Sequence, residues 1–238
     1  MPKLHVLLKR EELDPARLDG KVIIVLDILF ATTTIVHAFA QGACRIHPVR
    51  TPEEGLQVAE RVGPCLLAGE HLAQAIPGYA QATPMALARF GLEGVEIIYC
   101  TTNGTQALAS VAHAGHVYVG SMLNGKALVA HVVAQHADAS VLIICSGSLD
   151  RFNLEDFHGA GHLIAHFTDT GNYAMTDTAF AALHAYRGSD TRSALLNSRV
   201  GQMMAEHDLV AEIDYASQRD TLDTVPTMID GTLVRIQS

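Results

Sequence analysis

Lys21-Val-Ile-Ile-Val-Leu-Asp27 decides the fold: a run of large aliphatic residues ends in a carboxylate, and the hydroxyl cluster Thr32-Thr33-Thr34 follows. Two later stretches repeat this order, Val95-Glu-Ile-Ile-Tyr-Cys100 before Thr101-Thr-Asn-Gly-Thr105, and Val141-Leu-Ile-Ile-Cys145 before Ser146-Gly147. Continuous Val/Ile/Leu runs are typical of parallel strands that helices cover on both faces. In such sheets, ligands bind beyond the carboxyl ends of the strands. The sequence therefore predicts a three-layer α/β/α fold with a mainly parallel mixed sheet, built from repeated strand-turn-helix units.

The rest of the chain extends this pattern and then departs from it. Strands are predicted over 3–8, 21–27, 44–49 and 65–68, helices over 32–42 and 51–62, and further strand-turn-helix units over 95–112, 116–136 and 141–167. The last third is expected to hold helices over 174–186 and 190–206, a strand over 210–215, and a hairpin that turns at Asp230-Gly231. No linker is visible, so residues 1–238 are predicted to form one domain, or two similar lobes over 1–90 and 91–238.

Composition excludes several classes of partner. Of 238 residues, 49% are hydrophobic and 17% are charged, and the formal net charge of −9 leaves no basic surface for nucleic acid or a membrane. No signal-peptide pattern or membrane-spanning apolar run is visible, which predicts a soluble, cytoplasmic protein with a small-molecule ligand. The four cysteines lack C-x-x-C spacing and are expected to be reduced thiols. Sparse surface charge favours a homo-oligomer, most simply a dimer.

Asp27 is the strongest single candidate for chemistry. A carboxylate at the end of a buried strand is costly to bury unpaired, so it should meet a metal ion, a set of donors or solvent. A plain helix cap is the structural alternative. Glu155 and Asp156 open a predicted helix, where acids either offset the helix dipole or point as ligands at the same crevice as Asp27.

Three other motifs suggest different chemistry, and each has a flaw. Asp27-Ile28-Leu29 lacks the second aspartate of the D-x-D-x-T nucleophile motif of haloacid dehalogenases. Gly120–Ala127 matches a Walker A loop except that alanine replaces the hydroxyl that binds Mg²⁺. Cys145 and Arg151 satisfy the C-x5-R pattern of cysteine phosphatases, but Asp150 inside that loop would repel a phosphate dianion.

A histidine stripe is the last motif. His158, His162 and His166 recur on one face of a predicted helix, a spacing that can hold zinc. The opposite stripe, which includes Ile164 and Phe167, is expected to face the core. Because the chain contains 13 histidines, a solvated or hydrogen-bonded stripe is expected here instead of a metal site.

A set of short motifs runs in a fixed order from about residue 20 to the C-terminus. They are Asp27-Ile-Leu-Phe-Ala-Thr-Thr-Thr34, Gly69-Glu70, Thr101-Thr-Asn-Gly-Thr-Gln-Ala-Leu108, Gly120-Ser-Met-Leu-Asn124, Cys145-Ser-Gly-Ser148 with Leu154-Glu-Asp156, Asp214-Tyr-Ala216 and Val225-Pro226. In this order they resemble the 2-phosphosulfolactate phosphatase family. No single motif is diagnostic, but the ordered set is specific and covers most of the chain.

The resemblance implies a magnesium-dependent phosphomonoester hydrolase that converts (2R)-2-phospho-3-sulfolactate to 3-sulfolactate and phosphate, a step of coenzyme M biosynthesis. On this basis we expect Asp27, Glu70 and Asp156 to be the catalytic residues and to supply metal ligands or the general base, with Glu155 as a weaker candidate. Carboxylates suit the hard Mg²⁺ ion, whereas cysteines do not. The expected substrate-binding residues are Thr33, Thr34, Thr102, Asn103, Thr105, Asn124, Ser146 and Arg151.

Two other functions stay open on the sequence alone. The same crevice could hold an anion or a nucleotide without cleaving it, although three nearby carboxylates favour an enzyme. Cys145 with Arg151 could instead form a cysteine-dependent phosphatase. Phe30 also stands where the family commonly has an arginine, which predicts a less anionic substrate unless another basic residue, such as Arg151, supplies the charge.

Overall fold

A mixed β-sheet forms the centre of the protein. The computed structural model describes residues 1–71, 73–170 and 172–236. Its strands are β1 Lys3–Leu7, β2 Val22–Leu26, β3 Arg45–Val49, β4 Leu66–His71, β5 Gln74–Ala75, β6 Glu96–Cys100, β7 His116–Val119, β8 Val141–Cys145, β9 Ala174–Met175, β10 Pro226–Ile229 and β11 Thr232–Arg235. Their order across the sheet is β5-β4-β6-β3-β11-β10-β7-β2-β8-β1-β9.

Helices connect most of these strands and cover both faces of the sheet. They are α1 Ala31–Ala40, α2 Pro52–Val62, α3 Pro84–Leu87, α4 Gly104–Ser110, α5 Gly125–Gln135, α6 Leu154–Thr170, α7 Asp177–Arg187, α8 Thr191–Asn197, α9 Arg199–Glu206 and α10 Val210–Ala216. The predicted start of α2 is confirmed, since the Thr51 side chain accepts a hydrogen bond from the Glu54 amide and Pro52 occupies the first turn.

The sheet consists of two parallel blocks with an antiparallel hairpin between them. Strands β7, β2, β8, β1 and β9 pair in parallel, and so do β3, β6 and β4. The hairpin of β10 and β11 pairs antiparallel with β7 on one side and with β3 on the other. Asp230 and Gly231 at its turn both have positive φ, of 48° and 77°, as a two-residue type I′ turn requires.

Alternate residues of β2 enter two different cores. Val22, Ile24 and Leu26 belong to a buried cluster with residues of α5, α6 and α7. Ile23 and Val25 face the opposite way, into a cluster with residues of α1 and α4. A strand buried on both faces explains the uninterrupted apolar run at 22–26. The predicted three-layer α/β/α fold with a mainly parallel mixed sheet is therefore confirmed.

Two predictions for the last third of the chain are wrong. Residues Val210–Ala216 form helix α10 instead of a strand, and its buried residues Ile213 and Ala216 follow helical spacing. The single helix predicted over 190–206 is two helices that meet at Ser198. The Ser198 side chain caps α9 by accepting a hydrogen bond from Gly201, while its own backbone is extended.

The histidine stripe on α6 is hydrogen-bonded, which is one of the two expected alternatives to a metal site, and two of its three members are buried. His158 and His162 are each 1% exposed, whereas the His166 side chain is 23% exposed. Ile164 and Phe167 on the other side are fully buried, and α6 packs against both α5 and α7. Burial lowers the pKa of His158 to about 4, and His158 Nε2 forms a hydrogen bond with Thr191 Oγ1.

The cysteines are unpaired, as predicted. Cys44 is exposed, whereas Cys100 and Cys145 are buried at the ends of β6 and β8. Over the described residues, no helix combines the length and apolar character that crossing a membrane would need.

We predict that the chain unfolds as one unit in a denaturant titration. Strands from 1–90 and from 91–238 are interleaved in the sheet order, and seven of the ten neighbouring pairs of described strands join one segment to the other, so each segment loses most of its strand pairing when the other is lost. Far-UV circular dichroism and the fluorescence of the tyrosines should therefore give coincident midpoints in urea. Two separated transitions would instead favour two independent lobes.

Candidate active site

Asp27 lies where the first turns of α1 and α4 meet. It follows β2 directly and is 5% exposed. Its Oδ1 accepts a hydrogen bond from the Phe30 amide at 3.1 Å, and the Gly104 amide also donates to this carboxylate. Its own amide donates to Thr32 Oγ1 at 3.0 Å. Backbone donors from two helix N-termini therefore hold one carboxylate.

The close approach of α1 and α4 requires glycine at position 104. A Cβ built there would lie 2.3 Å from the Ala31 Cβ and 2.6 Å from Asp27 Oδ2, both far inside van der Waals contact. A glycine has no such atom, so the backbone of α4 can reach the carboxylate. This contact explains the glycine of the Thr101-Thr-Asn-Gly104 motif.

Glu70 brings a second carboxylate from β4. Its Oε1 accepts a hydrogen bond from the Thr102 amide at 2.7 Å. Its Oε2 accepts from the Ala73 amide at 3.0 Å and from Thr102 Oγ1 at 3.3 Å. The turn after β6 is thereby tied to β4. Glu70 is 5% exposed, as Asp27 is.

Asp156 and Glu155 come from the first turn of α6. Asp156 is fully buried, and its two oxygens accept hydrogen bonds from the Ile28 amide at 2.9 Å and the Gly147 amide at 3.2 Å. Glu155 is 1% exposed, and neither of its oxygens has a hydrogen-bond partner among the described residues. The nearby Ser198 hydroxyl is already bonded to the Leu195 carbonyl and the Gly201 amide.

These acids raise one another's proton affinity. Burial raises the pKa of Asp27 to about 7, and the negative charge of Glu70 adds to the rise. Burial also raises the pKa of Glu155 to about 7, with a contribution from Asp27. The pKa of Asp156 lies well above its usual range because of burial and the charges of Glu155 and Asp27. Asp27 thus interacts with each of the other three acids and is the centre of the group.

Two arginines offset part of this negative charge. Arg10 follows β1, donates to Asn103 Oδ1 at 3.2 Å and acts to lower the pKa of Asp27. Arg199, at the start of α9, donates to Ser148 and to Asn153 Oδ1 at 3.0 Å, and it acts to lower the pKa of Glu155. Sequence reasoning missed both arginines. The position of Arg10 just after a parallel strand was a usable signal, whereas Arg199 follows no recognisable motif.

A small cavity of about 40 Å³ lies among these groups. Its lining residues are Asp27, Leu29, Phe30, Glu70, Ala73, Thr102, Asn103, Ser148, Leu149, Arg199, Val200 and Met203. This volume holds an ion or a few waters at most. A groove of about 600 Å³ adjoins it and shares Glu70 and Thr102 as lining residues.

The predicted substrate-binding residues divide into two groups. Thr102 and Asn103 line the cavity. Thr33 donates its hydroxyl proton to the Ile28 carbonyl, and the single hydroxyl proton of Thr34 lies between the Phe30 and Ala82 carbonyls, which are both within hydrogen-bond distance. The structure therefore favours a local backbone role for these two threonines, because a hydroxyl has a single proton to donate.

The other predicted donors lie away from the cavity or are already bonded. Thr105 donates to the Thr101 carbonyl, and the buried Asn124 amide donates to the Val119 and Thr224 carbonyls. Ser146 is fully buried, and its hydroxyl has no partner within the described part of the chain. The Arg151 side chain is exposed and is not among the lining residues of the cavity.

Cys145 is poorly placed for nucleophilic attack. It is fully buried, and burial raises the pKa of its thiol well above the usual range. The charges of Asp156 and Glu155 act in the same direction. A cysteine nucleophile needs the opposite, a lowered pKa and an accessible sulfur. With Arg151 exposed, the C-x5-R interpretation has no geometric support.

The predicted metal ligands are not gathered around one point. Within residues 1–71, 73–170 and 172–236, one group of three metal-ligating side chains has its ligand atoms within 4.8 Å of one another, and it consists of His162, His166 and Asp220. Asp27, Glu70 and Asp156 do not form such a group. Their oxygens are instead held by backbone amides on three sides of the site.

Comparisons with known proteins agree on one family. The sequence profile of the 2-phosphosulpholactate phosphatase family matches residues 7–231. A protein of Carboxydothermus hydrogenoformans named probable 2-phosphosulfolactate phosphatase is 32% identical over 98% of this chain and 96% of its own length. Proteins with the same name from Deinococcus radiodurans and Symbiobacterium thermophilum are each 35% identical, over 88% and 92% of this chain and 88% and 96% of their own lengths. The chain therefore belongs to the 2-phosphosulfolactate phosphatase family, as its ordered motifs predicted.

Proposed function

We propose that this protein hydrolyses 2-phosphosulfolactate to 3-sulfolactate and phosphate, with Mg²⁺ as its cofactor. The observation that supports this most directly is the buried Asp27 carboxylate, which two helix N-termini hold at the centre of three further acids. The family name and the names of the relatives support the substrate. The same resemblance supports a place in coenzyme M biosynthesis, and composition supports a homodimer.

The acid cluster fits a divalent cation. Neither Glu155 oxygen has a hydrogen bond of good geometry among the described residues, although the Ser198 hydroxyl and the Glu155 amide are close enough to lower the pKa of the carboxyl. Protonation compensates for this burial in the metal-free protein, and a bound cation would do so for the charged form. Oxygen ligands of this kind suit Mg²⁺. As the resemblance implies, Asp27, Glu70 and Asp156 would supply ligands, with Glu155 as a further candidate, and their side chains would have to move to bring the ligand oxygens around one ion. When bound, the ion would neutralise phosphate oxygens and charge that develops in the transition state.

The chain's own residues supply positioning and proton transfer. Arg10, Arg199 and Asn103 offer donors for the phosphate, sulfonate or carboxylate of the substrate. In the protein without bound metal, burial raises the pKa of Asp27 to about 7, so this carboxyl group would take up or release a proton near neutral pH. Phosphoryl transfer needs little beyond such positioning and charge neutralisation.

Phe30 is compatible with a strongly anionic substrate. Its side chain lines the cavity together with Arg199, and Arg10 reaches the same rim through Asn103. These two arginines replace the charge that the family commonly places at position 30. This favours the alternative in which another basic residue compensates, although Arg151 is not that residue.

A catalytic site explains the structure better than a passive anion site. A protein that merely binds an anion gains nothing from four buried carboxylates, since each one repels the ligand. In a hydrolase, the same carboxylates hold the cation and move the proton. The cavity of about 40 Å³ is smaller than the substrate, so side chains at its lining would have to move for the phosphate group to reach Asp27.

The first test of the proposed function is a substrate screen with metal control. Purified protein treated with EDTA and desalted should be inactive on 2-phosphosulfolactate, and Mg²⁺ alone should restore phosphate release. 2-Phospholactate, which lacks the sulfonate, should be a weaker substrate because an arginine loses its partner. Turnover without metal, or none on any small anionic phosphoester, would contradict the proposal.

The second test replaces the central carboxylate. Asp27→Asn keeps an oxygen acceptor for the Phe30 amide but removes the charge, so kcat should fall on the order of 10²-fold or more. Asp19→Asn, at an exposed position outside the site, is the matched control and should retain wild-type turnover. Near wild-type kcat in Asp27→Asn would reduce Asp27 to a structural cap.

The same variant has a signature that does not depend on activity. In the unfolded chain Asp27 loses its proton near pH 3.8, but in the folded protein it does so near pH 7. Between these values the folded state binds more protons, so this group costs stability as pH rises. Without metal, the free energy of unfolding of Asp27→Asn minus that of wild type should therefore increase from pH 4 to pH 7 and stay constant above pH 7. A difference that is constant with pH would contradict the burial argument.

The third test addresses the cysteine alternative. Cys145→Ser should keep most of the activity and lose some stability, because the buried hydroxyl needs a hydrogen-bond partner that the thiol does not. Iodoacetate should modify the exposed Cys44 without inactivating the enzyme. A folded Cys145→Ser protein without any turnover would instead support nucleophilic attack by Cys145.

A further inference from the structure

We propose that His162, His166 and Asp220 form a second metal site, for Zn²⁺ or another transition metal that binds imidazole. This site is separate from the acid cluster around Asp27 and does not depend on the proposed function. It joins two turns of α6 to the segment between α10 and β10. Nothing in the chemistry of phosphoester hydrolysis requires these three residues.

The three side chains converge on one point. His162 Nε2 lies 3.2 Å from Asp220 Oδ1, and His166 Nε2 lies 3.0 Å from Asp220 Oδ2. One ligand atom from each residue lies within 4.8 Å of the others. Ligands about 2.0–2.1 Å from a tetrahedral zinc ion are themselves separated by roughly 3.3 Å, so small side-chain adjustments would admit the ion.

Gly125, the first residue of α5, lets this helix approach the three side chains closely. A Cβ built at this position would lie 2.5 Å from His162 Nε2 and 3.3 Å from Asp220 Oδ1. Any other residue would therefore collide with His162 and displace one of the proposed ligands. The Lys126 amide, next along the helix, donates to Asp220 Oδ1 at 2.7 Å and fixes the carboxylate.

A second layer of contacts orients the ligands. His162 Nδ1 lies 3.1 Å from the Tyr186 hydroxyl, which also accepts a hydrogen bond from Arg219 at 3.1 Å. A metal-binding histidine commonly donates its other ring N–H to such a partner, which selects the tautomer with Nε2 free for the metal. His162 is 2% exposed at its side chain, whereas His166 and Asp220 are each 23% exposed. Solvent can thus reach one side and supply a water as fourth ligand.

The donor set distinguishes this site from the acid cluster. Two imidazoles and one carboxylate suit Zn²⁺ and similar ions, whereas Mg²⁺ prefers oxygen ligands. Asp220 has a left-handed backbone with φ of 55°, and its amide donates to the Met122 carbonyl. A bound ion would therefore fasten the approach to the C-terminal hairpin onto α6.

Zinc binding to the metal-free protein tests this proposal. Isothermal titration and thermal melts with Zn²⁺ should show saturable binding and an increase in Tm, both of which persist when saturating Mg²⁺ is already present. Because zinc could also enter the acid cluster, the titration is repeated in Asp27→Asn, where the high-affinity zinc event should persist. Visible absorption after addition of Co²⁺ should show the intense bands of a four-coordinate site with nitrogen ligands.

Two variants locate the binding event. His166→Ala, at a partly exposed position, should lose at least tenfold in zinc affinity and lose the Co²⁺ spectrum, while circular dichroism stays that of wild type. His184→Ala, an exposed histidine on α7, is the matched control and should bind as wild type does. Asp220→Asn should weaken binding in the same way as His166→Ala. Unchanged zinc affinity in His166→Ala, or no zinc binding by wild type, would overturn the proposal and leave these contacts as hydrogen bonds.

Discussion

The contact between the first turns of α1 and α4 at Asp27 is the constraint on which the rest of the site depends. Each helix follows a buried strand of a different block of the sheet, and each donates a backbone amide to the same carboxylate. The contact exists because Gly104 has no side chain to collide with Ala31. Once the two helices meet there, Thr102 comes within hydrogen-bond distance of Glu70, and the turn after β6 completes one wall of the cavity. Close packing of the backbone therefore positions the walls of the site, whatever charges the side chains carry.

The buried negative charge of four acids opposes the assembly of this site. Four acids share a buried region, and the pKa values of Asp27 and Glu155 rise to about 7 because burial and mutual repulsion both disfavour ionisation. Backbone amides satisfy most of the carboxylate oxygens, and Arg10 and Arg199 offset part of the charge, but Glu155 gains no hydrogen bond from the described residues. A cation is the simplest partner that completes such a group. The histidine cluster on α6 has a different composition, since two imidazoles face a single carboxylate that accepts hydrogen bonds from the Lys126 amide and from both rings.

Local patterns predicted what depends on neighbours in sequence. The apolar runs at 22–26, 96–100 and 141–145 predicted three strands, and Asp230-Gly231 predicted the hairpin, because strand burial and turn geometry are both encoded within a few residues. The prediction of a strand at 210–215 was wrong because a segment this short is compatible with both helical and strand periodicity, and tertiary contacts determine that Val210–Ala216 is a helix. The threonines were ambiguous for a similar reason, since a hydroxyl after a strand can bond either to a ligand or to its own backbone, and in this structure Thr33, Thr34 and Thr105 bond to backbone carbonyls. The role of Arg199 could not be predicted from the sequence because only the packing of α9 brings this side chain to the cavity.

The directions of the strands show how the site depends on the hairpin of β10 and β11. Three successive antiparallel pairings, from β7 through β10 and β11 to β3, give the two parallel blocks opposite directions. In a flat sheet, the carboxyl ends of β2 and β6 would then lie at opposite edges. The contact between Gly104 and the Asp27 carboxylate shows that the two ends nevertheless lie close together, so the sheet of this protein is not flat. The hairpin of β10 and β11 provides two of the strands between β2 and β6. Residues 226–235, although far from Asp27 in sequence, thus join the block that carries α1 to the block that carries α4.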